Sequence, residues 1–381
     1  MSAPPPTTIF EHMSRLARQY GAINLGQGFP ELPEPPELLA AAARAVCERS
    51  NQYPPMRGLD DLRHAIAAYY ATAQDLTLAA EEIVVTSGAT EALAATILAL
   101  VQPGDEVVLV PPLYDAYLPL VQRAGGVARF AALAPPDWTL SPETLAAAVT
   151  DRTRVLILNT PNNPTGTLLD RATLAAIGDL CAARAITLVC DEVWEATLFG
   201  GARHLSPLAL PALRARAVKI GSAGKIFSLT GWKVGWAVAA APLADRIAAQ
   251  HQFITFTTAT PLQWAVAEGL ALPPAWHEAQ RDRYVPLRRR LIDGLAAAGY
   301  VVLANAATWF ITIDLAASGI ALDDVRFCER LIVEAGVAAI PVSAFYAEAP
   351  ERRFVRLCFA KPEAMLDAAI ARLATFRRSL G

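Results

Sequence analysis

The chain has 381 residues, 54 % of them hydrophobic and 18 % charged, with a formal net charge of −3. That much apolar material can fill a large core, in two domains at this length, and it excludes a disordered chain. The nearly balanced charge, without a basic cluster, argues against binding driven by nucleic-acid or membrane electrostatics.

Five scattered cysteines (Cys47, Cys181, Cys190, Cys328 and Cys358) include no C-x-x-C pair, which predicts a reducing compartment and no disulfide framework. The five histidines lack zinc-site spacing, so no metal is expected. Met1 to Thr8 is proline-rich, with no basic stretch leading into an apolar one, and no secretory signal is expected there. The uncharged span Ile247 to Ala267 is interrupted by Gln250, His251, Gln252, Thr255, Pro261 and Gln263, a poor membrane helix. A soluble, cytoplasmic protein is the expectation.

Ile9 to Tyr20 carries apolar residues at helical spacing. Asn24-Leu25-Gly26-Gln27-Gly28-Phe29-Pro30 then reads as irregular. Its glycines miss G-x-G-x-x-G because Glu31 stands where the third belongs, and no strand is evident ahead of them. Pro35-Pro36 opens an alanine-rich helix to about Glu48, and Asn51 to Gly58 forms a loop with Tyr53 and Arg57 inside it. Asp60 and Asp61 open the next helix, where negative charge suits the dipole.

From there the pattern is strand, loop, helix, repeated. Ile83-Val84-Val85 runs into Ser87-Gly88-Ala89-Thr90-Glu91 and the helix Ala92 to Val101. Small residues and hydroxyls at that helix start make either an anion site or an ordinary N-cap. Val107 to Val110 leads to Tyr114, Val155 to Leu158 leads to Asn159 to Gly166, and Ile186 to Cys190 ends in Asp191-Glu192. Ala217 to Ile220 runs into Gly221-Ser222-Ala223-Gly224-Lys225, followed by Leu229 to Gly235. These polar strand ends recur at about the length of a βαβ unit, and their apolar runs suit a parallel sheet covered on both faces. In such a sheet Tyr114, Asn163, Asp191 and Lys225 emerge on one edge, where ligands bind. Otherwise Asp191 caps a helix and Lys225 faces water.

Ser222 to Lys225 also fits the S-x-x-K of serine β-lactamases, but neither S-D-N nor K-T-G occurs in the chain. A phosphate-binding P-loop fails because Ile226 follows the lysine. The remainder reads as a smaller α+β domain: a helix from about Ala279 to Ala298, strands at Val301 to Leu303 and Trp309 to Ile313, a helix from about Asp323 to Ala335, then Val337 to Ile340, Phe354 to Phe359 and a last helix. Arg356 sits mid-strand among apolar residues, either clamping a carboxylate or facing solvent on an edge strand.

A lysine able to form a Schiff base, an acid for a pyridinium nitrogen and a phosphate site together describe pyridoxal phosphate binding. At these residues the sequence resembles the class I/II aminotransferases of fold-type I, most of all the branch of kynurenine aminotransferase (glutamine transaminase K) and bacterial methionine aminotransferase. The likeness runs from Thr8-Ile9-Phe10 to Arg356-Leu357-Cys358-Phe359-Ala360-Lys361, and is strongest at Asn24 to Pro30, Asn51-Gln52-Tyr53, Asn159 to Pro164, Asp191-Glu192-Val193 and Ser222 to Trp236. It implies an α/β fold with a mostly parallel central sheet, helices on both faces and a smaller α+β domain. Residues 1–45 would form an N-terminal arm and part of the small domain, 46–275 the large cofactor domain and 276–381 the small C-terminal domain.

The resemblance also assigns roles. Lys225 holds the cofactor and moves a proton between the substrate and cofactor carbons, and Asp191 keeps the pyridine nitrogen protonated. Tyr114 stacks on the ring, while Asn163 and the residue at position 194 hold its ring oxygen. Gly88, Ala89, Thr90, Ser222 and Lys233 meet the phosphate, as does Tyr53 from the neighbouring subunit, which implies a homodimer. Arg356 clamps the substrate carboxylate with Gly28 and Asn163, and Phe10, Phe29 and Phe256 suggest an apolar pocket for large neutral amino acids such as methionine, phenylalanine or kynurenine. Two positions depart from the family pattern: Trp194 stands where a tyrosine is usual, and Ala307 where glycine precedes T-[YF]-F. A C–S β-lyase using the same lysine is the alternative activity. A non-enzymatic regulator that senses pyridoxal phosphate is a remoter one.

Overall fold

The computed structural model describes residues 9–348 and 350–380. The proline-rich start, with Thr8 where the family likeness begins, lies outside the described residues. The chain divides into two compact units. The larger comprises 33–161 and 168–281; the smaller comprises the residues up to Leu32, 162–167 and 282–381.

The larger unit is built on a seven-stranded sheet in the order Ile83–Thr86, Gly235–Ala239, Ala217–Ser222, Thr187–Asp191, Thr153–Asn159, Glu106–Leu109, Val127–Phe130. Only Gly235–Ala239 runs antiparallel to its neighbours. Ile83–Thr86, Glu106–Leu109, Ala217–Ser222 and Gly235–Ala239 are buried along their whole length, as largely apolar strands must be once helices cover both faces. The parallel register pairs Asn159 with Asp191 and Asp191 with Ile220, so these strand ends share one edge. The edge strand Val127–Phe130, half-exposed and without such a run, has no counterpart in the sequence reading.

Residues 33–45 belong to this larger unit rather than to an N-terminal arm. The helix Pro36–Glu48 packs on Thr260–Leu270 so closely that a Cβ on Gly269 would stand 2.5 Å from Leu38 Cδ1. The second division falls at 281/282 rather than 275/276.

In the smaller unit an antiparallel four-stranded sheet runs in the order Ile340–Pro341, Phe354–Cys358, Phe310–Asp314, Val301–Val302. Phe354–Cys358 has a partner on each side, so Arg356 is not on an edge strand. A strand does precede the glycine-rich stretch: Ile23–Asn24 pairs parallel with Val337–Ala338, too short to show a pattern in sequence. The helix expected at 279–298 is two, Pro274–Asp282 and Tyr284–Ala297. Pro286 has no N–H to offer the carbonyl of Asp282, which breaks the run. Residues 162–167 join this unit through Gly166, whose φ of +70° and tight fit against Asn305 and Ala307 exclude a side chain. Among the described residues no helix is long and apolar enough to cross a membrane.

Candidate active site

Within the larger unit, Ile83–Thr86 delivers Ser87 and the helix Gly88–Leu100 to the shared sheet edge. Gly88 has a φ of +76°, and a Cβ there would meet Lys233 Nζ at 3.1 Å, so the lysine's charge lies over the helix's first turn. A Cβ on Gly235 would stand 2.6 Å from Ala89 N; only glycine lets the strand pass so close to the turn. Thr90 Oγ1 and Tyr114 Oη are 3.3 Å apart. A helix N-terminus with an ammonium over its first turn is an arrangement that can cradle an anion.

At the end of Thr187–Asp191, Asp191 is buried. Its Oδ2 accepts from Tyr117 Oη at 2.6 Å and its Oδ1 from Val193 N at 3.3 Å. Burial pushes the carboxyl up to about 6, against the lowering by those bonds and by the charge of Lys225. Such a carboxylate is held ready for a cation. Lys225 follows Ala217–Ser222 in the short helix Ala223–Ile226, its Nζ 4.8 Å from the ring centroid of buried Trp194. Ser222, at the strand's end, is buried. Tyr53, 82 % exposed, packs edge-on against Phe256 at 5.5 Å.

Behind Asp191, Glu192, Glu195 and His204 bring ligand atoms within 4.8 Å of one another, a spacing a metal could use. The Lys219 ammonium already occupies it: Nζ donates to Glu192 Oε2 at 2.6 Å, to Glu195 and to Gln74 Oε1 at 3.2 Å. The cluster is an internal ion-pair network.

The smaller unit holds the arginine. Arg356, 4 % exposed, donates from Nη1 to Asn163 Oδ1 at 3.0 Å and from Nη2 to the Gly26 carbonyl at 2.6 Å. Its guanidinium lies 4.0 Å from the Phe310 ring centroid and 5.0 Å from that of Phe345, a fork fixed between two aromatic faces. Phe10 meets Phe345 edge-on at 5.2 Å. Asn24 Oδ1 accepts from Gly26 N and Gln27 N, which shapes the turn leading to Gly28. A Cβ on Gly28 would stand 2.4 Å from Phe310 Cζ, so the backbone there can approach only as glycine. Phe29 instead stacks under the Lys361 ammonium, itself bonded to Glu31.

The structure thus groups Gly88, Ala89, Thr90 and Lys233, then Asp191, Trp194 and Lys225, and separately Phe10, Gly28, Asn163 and Arg356. Sequence reasoning missed Tyr117, Phe310 and Phe345. Tyr117 could have been noticed three residues after Tyr114, but the two phenylalanines show no signal beyond apolar runs.

Residues 20–373 match the family described as Aminotransferase class I and II. The chain belongs to that family. It is 44 % identical to methionine aminotransferase of Escherichia coli strain K12, over 96 % of this chain and 95 % of that protein. It is 41 % identical to a probable N-succinyldiaminopimelate aminotransferase of Mycobacterium tuberculosis, over 97 % and 96 %. A solved E. coli structure, YbdL, described as having a methionine aminotransferase function, superposes with a TM-score of 0.94 at 42 % identity, covering 98 % of this chain and all of that one. The chain is therefore a fold-type I aminotransferase dependent on pyridoxal phosphate.

Proposed function

We propose that this aminotransferase moves the α-amino group of large neutral amino acids, of the methionine, aromatic, kynurenine or glutamine type, to a 2-oxo acid, as a cytoplasmic homodimer. The observation that carries the site assignment is the buried, raised carboxyl of Asp191 in electrostatic contact with Lys225 at one sheet edge. Bound pyridoxal phosphate supplies an electron sink for the substrate's α-carbon.

The chain's own residues do the rest. Asp191 holds a proton on the pyridine nitrogen, since a buried carboxylate is best satisfied by a cation. Lys225 holds the cofactor covalently and then carries the proton at the substrate α-carbon. The N–H groups of Gly88, Ala89 and Thr90, with Ser222 and Lys233, take the phosphate, and Tyr114 stacks on the ring. Asn163, whose Oδ1 accepts from Arg356, would donate through its amide nitrogen to the ring oxygen, alongside Trp194. Arg356 receives the substrate carboxylate bidentately, helped by Gly28 and Asn163. Phe10 and Phe256 suit an apolar side chain, and the exposure of Tyr53 fits a residue that completes the neighbouring protomer's phosphate site.

The test is a panel of amino acids with 2-oxo acid acceptors, run on wild type and Lys225→Ala. Turnover should favour methionine and aromatic donors over dicarboxylic ones and vanish in the variant, with partial return on adding a small amine. Preference for N-succinyldiaminopimelate, or undiminished turnover by Lys225→Ala, would overturn the substrate or the site assignment respectively. Pyruvate released from cysteine conjugates without an acceptor would point to β-elimination instead.

A further inference from the structure

Glu91 lies in the first turn of the helix whose N-terminus forms the anion cradle. It is 7 % exposed, and a carboxylate there opposes the phosphate that the cradle is proposed to hold. His251, fully buried on the helix Ala241–Ile254, meets it: Nδ1 lies 2.7 Å from Glu91 Oε1. The other ring nitrogen, Nε2, is 3.0 Å from the Met56 carbonyl. A carbonyl only accepts, so Nε2 carries a proton. The contact between Nδ1 and the carboxyl group needs a second proton, and whichever atom holds it, the pair is neutral.

The remaining bonds show what the pair organises. Glu91 Oε2 accepts from Ser87 N, the N–H just outside the cradle, and Oε1 accepts from Thr255 Oγ1 at 2.6 Å. Met56 lies in the loop that carries Tyr53 and packs on Val84, Ala244 and Ala248, and Thr258 Oγ1 donates to the Lys233 carbonyl at 3.3 Å. Glu91 therefore anchors the cradle's edge and the 255–258 segment at once. It does so without presenting a net negative charge, because His251 supplies the compensating proton.

We propose that His251 is a positioning residue that neutralises Glu91, so that one buried carboxyl can brace the helix N-terminus without repelling the cofactor's phosphate. This rests on the assignment of Gly88, Ala89 and Thr90 to that phosphate. Neutralisation and mere bracing make different predictions. Without the imidazole, Glu91 keeps an uncompensated charge beneath the phosphate, and removing that charge should restore binding. A purely structural pair would instead lose more with each substitution.

The experiment measures equilibrium binding of pyridoxal phosphate and of pyridoxal, which lacks the phosphate, to the apoprotein by absorbance titration. His251→Gln should weaken pyridoxal phosphate about tenfold and leave pyridoxal unchanged. Glu91→Gln, nearly isosteric, should stay within about threefold of wild type, and the double variant should recover most of the single variant's loss. Should His251→Gln fail to fold, His251→Asn takes its place in the same cycle with Glu91→Gln, since recovery in the double variant is what separates neutralisation from bracing. Equal loss for both ligands, or a double variant as weak as His251→Gln, overturns the proposal. Wild-type protein that does not distinguish the two ligands would instead overturn the cradle assignment itself.

Discussion

Asp191→Asn should make the apoprotein more stable at neutral pH while ending transamination. Burial lifts this carboxyl from the ordinary aspartate value of 3.8 to about 6, even though Tyr117, Val193 N–H and Lys225 all pull the other way. The folded state thus holds the proton more tightly than the unfolded chain. The stability linked to this group is fully present below the unfolded value and is lost as pH rises through about 6. At about 1.4 kcal/mol for each pH unit, the ionised form costs the folded state about 3 kcal/mol at pH 7. Asparagine is neutral in both states and escapes that cost. Its single oxygen cannot accept from both Tyr117 and Val193 as the carboxylate does, a loss of about 1 kcal/mol. The net expectation is a gain of about 2 kcal/mol at pH 7, gone by about pH 4. Urea unfolding of both apoproteins across that range measures it. A variant less stable than wild type at pH 7, or one with wild type's pH slope, would refute the reasoning. Added pyridoxal phosphate should then stabilise wild type more than the variant.

Two further substitutions probe the other groups. Arg356→Lys should raise KM for every amino acid by about tenfold or more, because an ammonium cannot reproduce a fork held by Asn163 and Gly26 between two phenylalanine rings; an unchanged KM in steady-state assays would return the arginine to a packing role. Trp194→Phe should raise the pH midpoint of the bound cofactor's absorbance, whereas Trp194→Tyr should not, because only the phenylalanine lacks a donor for the cofactor's ring oxygen. A phenylalanine variant that titrates like wild type would leave the indole only its stacking beneath Lys225.

Most of the strands of the large sheet and the polar residues at their ends were legible from sequence, because both are local, whereas the edge strand Val127–Phe130, the antiparallel strand Gly235–Ala239 and the order of the strands across the sheet were not. Apolar runs mark strands buried on two faces, and a parallel sheet must deliver its polar ends, Asp191 and the Ser222–Lys225 turn among them, to one edge. The glycine-bearing turn at Gly88 was legible for the same reason. What tertiary structure decided involves partners far apart in the chain. Arg356 is a buried guanidinium rather than an edge-strand cation because its strand has a partner on each side and the rings of Phe310 and Phe345 lie against it. Residues 33–45 follow the large unit because Leu38 fits over Gly269, a match no periodicity could show. Tyr117 on Asp191 and His251 on Glu91 are pairings across 74 and 160 positions. Sequence names such polar residues one by one, but only the folded chain sets which acid is left ready for a cation and which is neutralised.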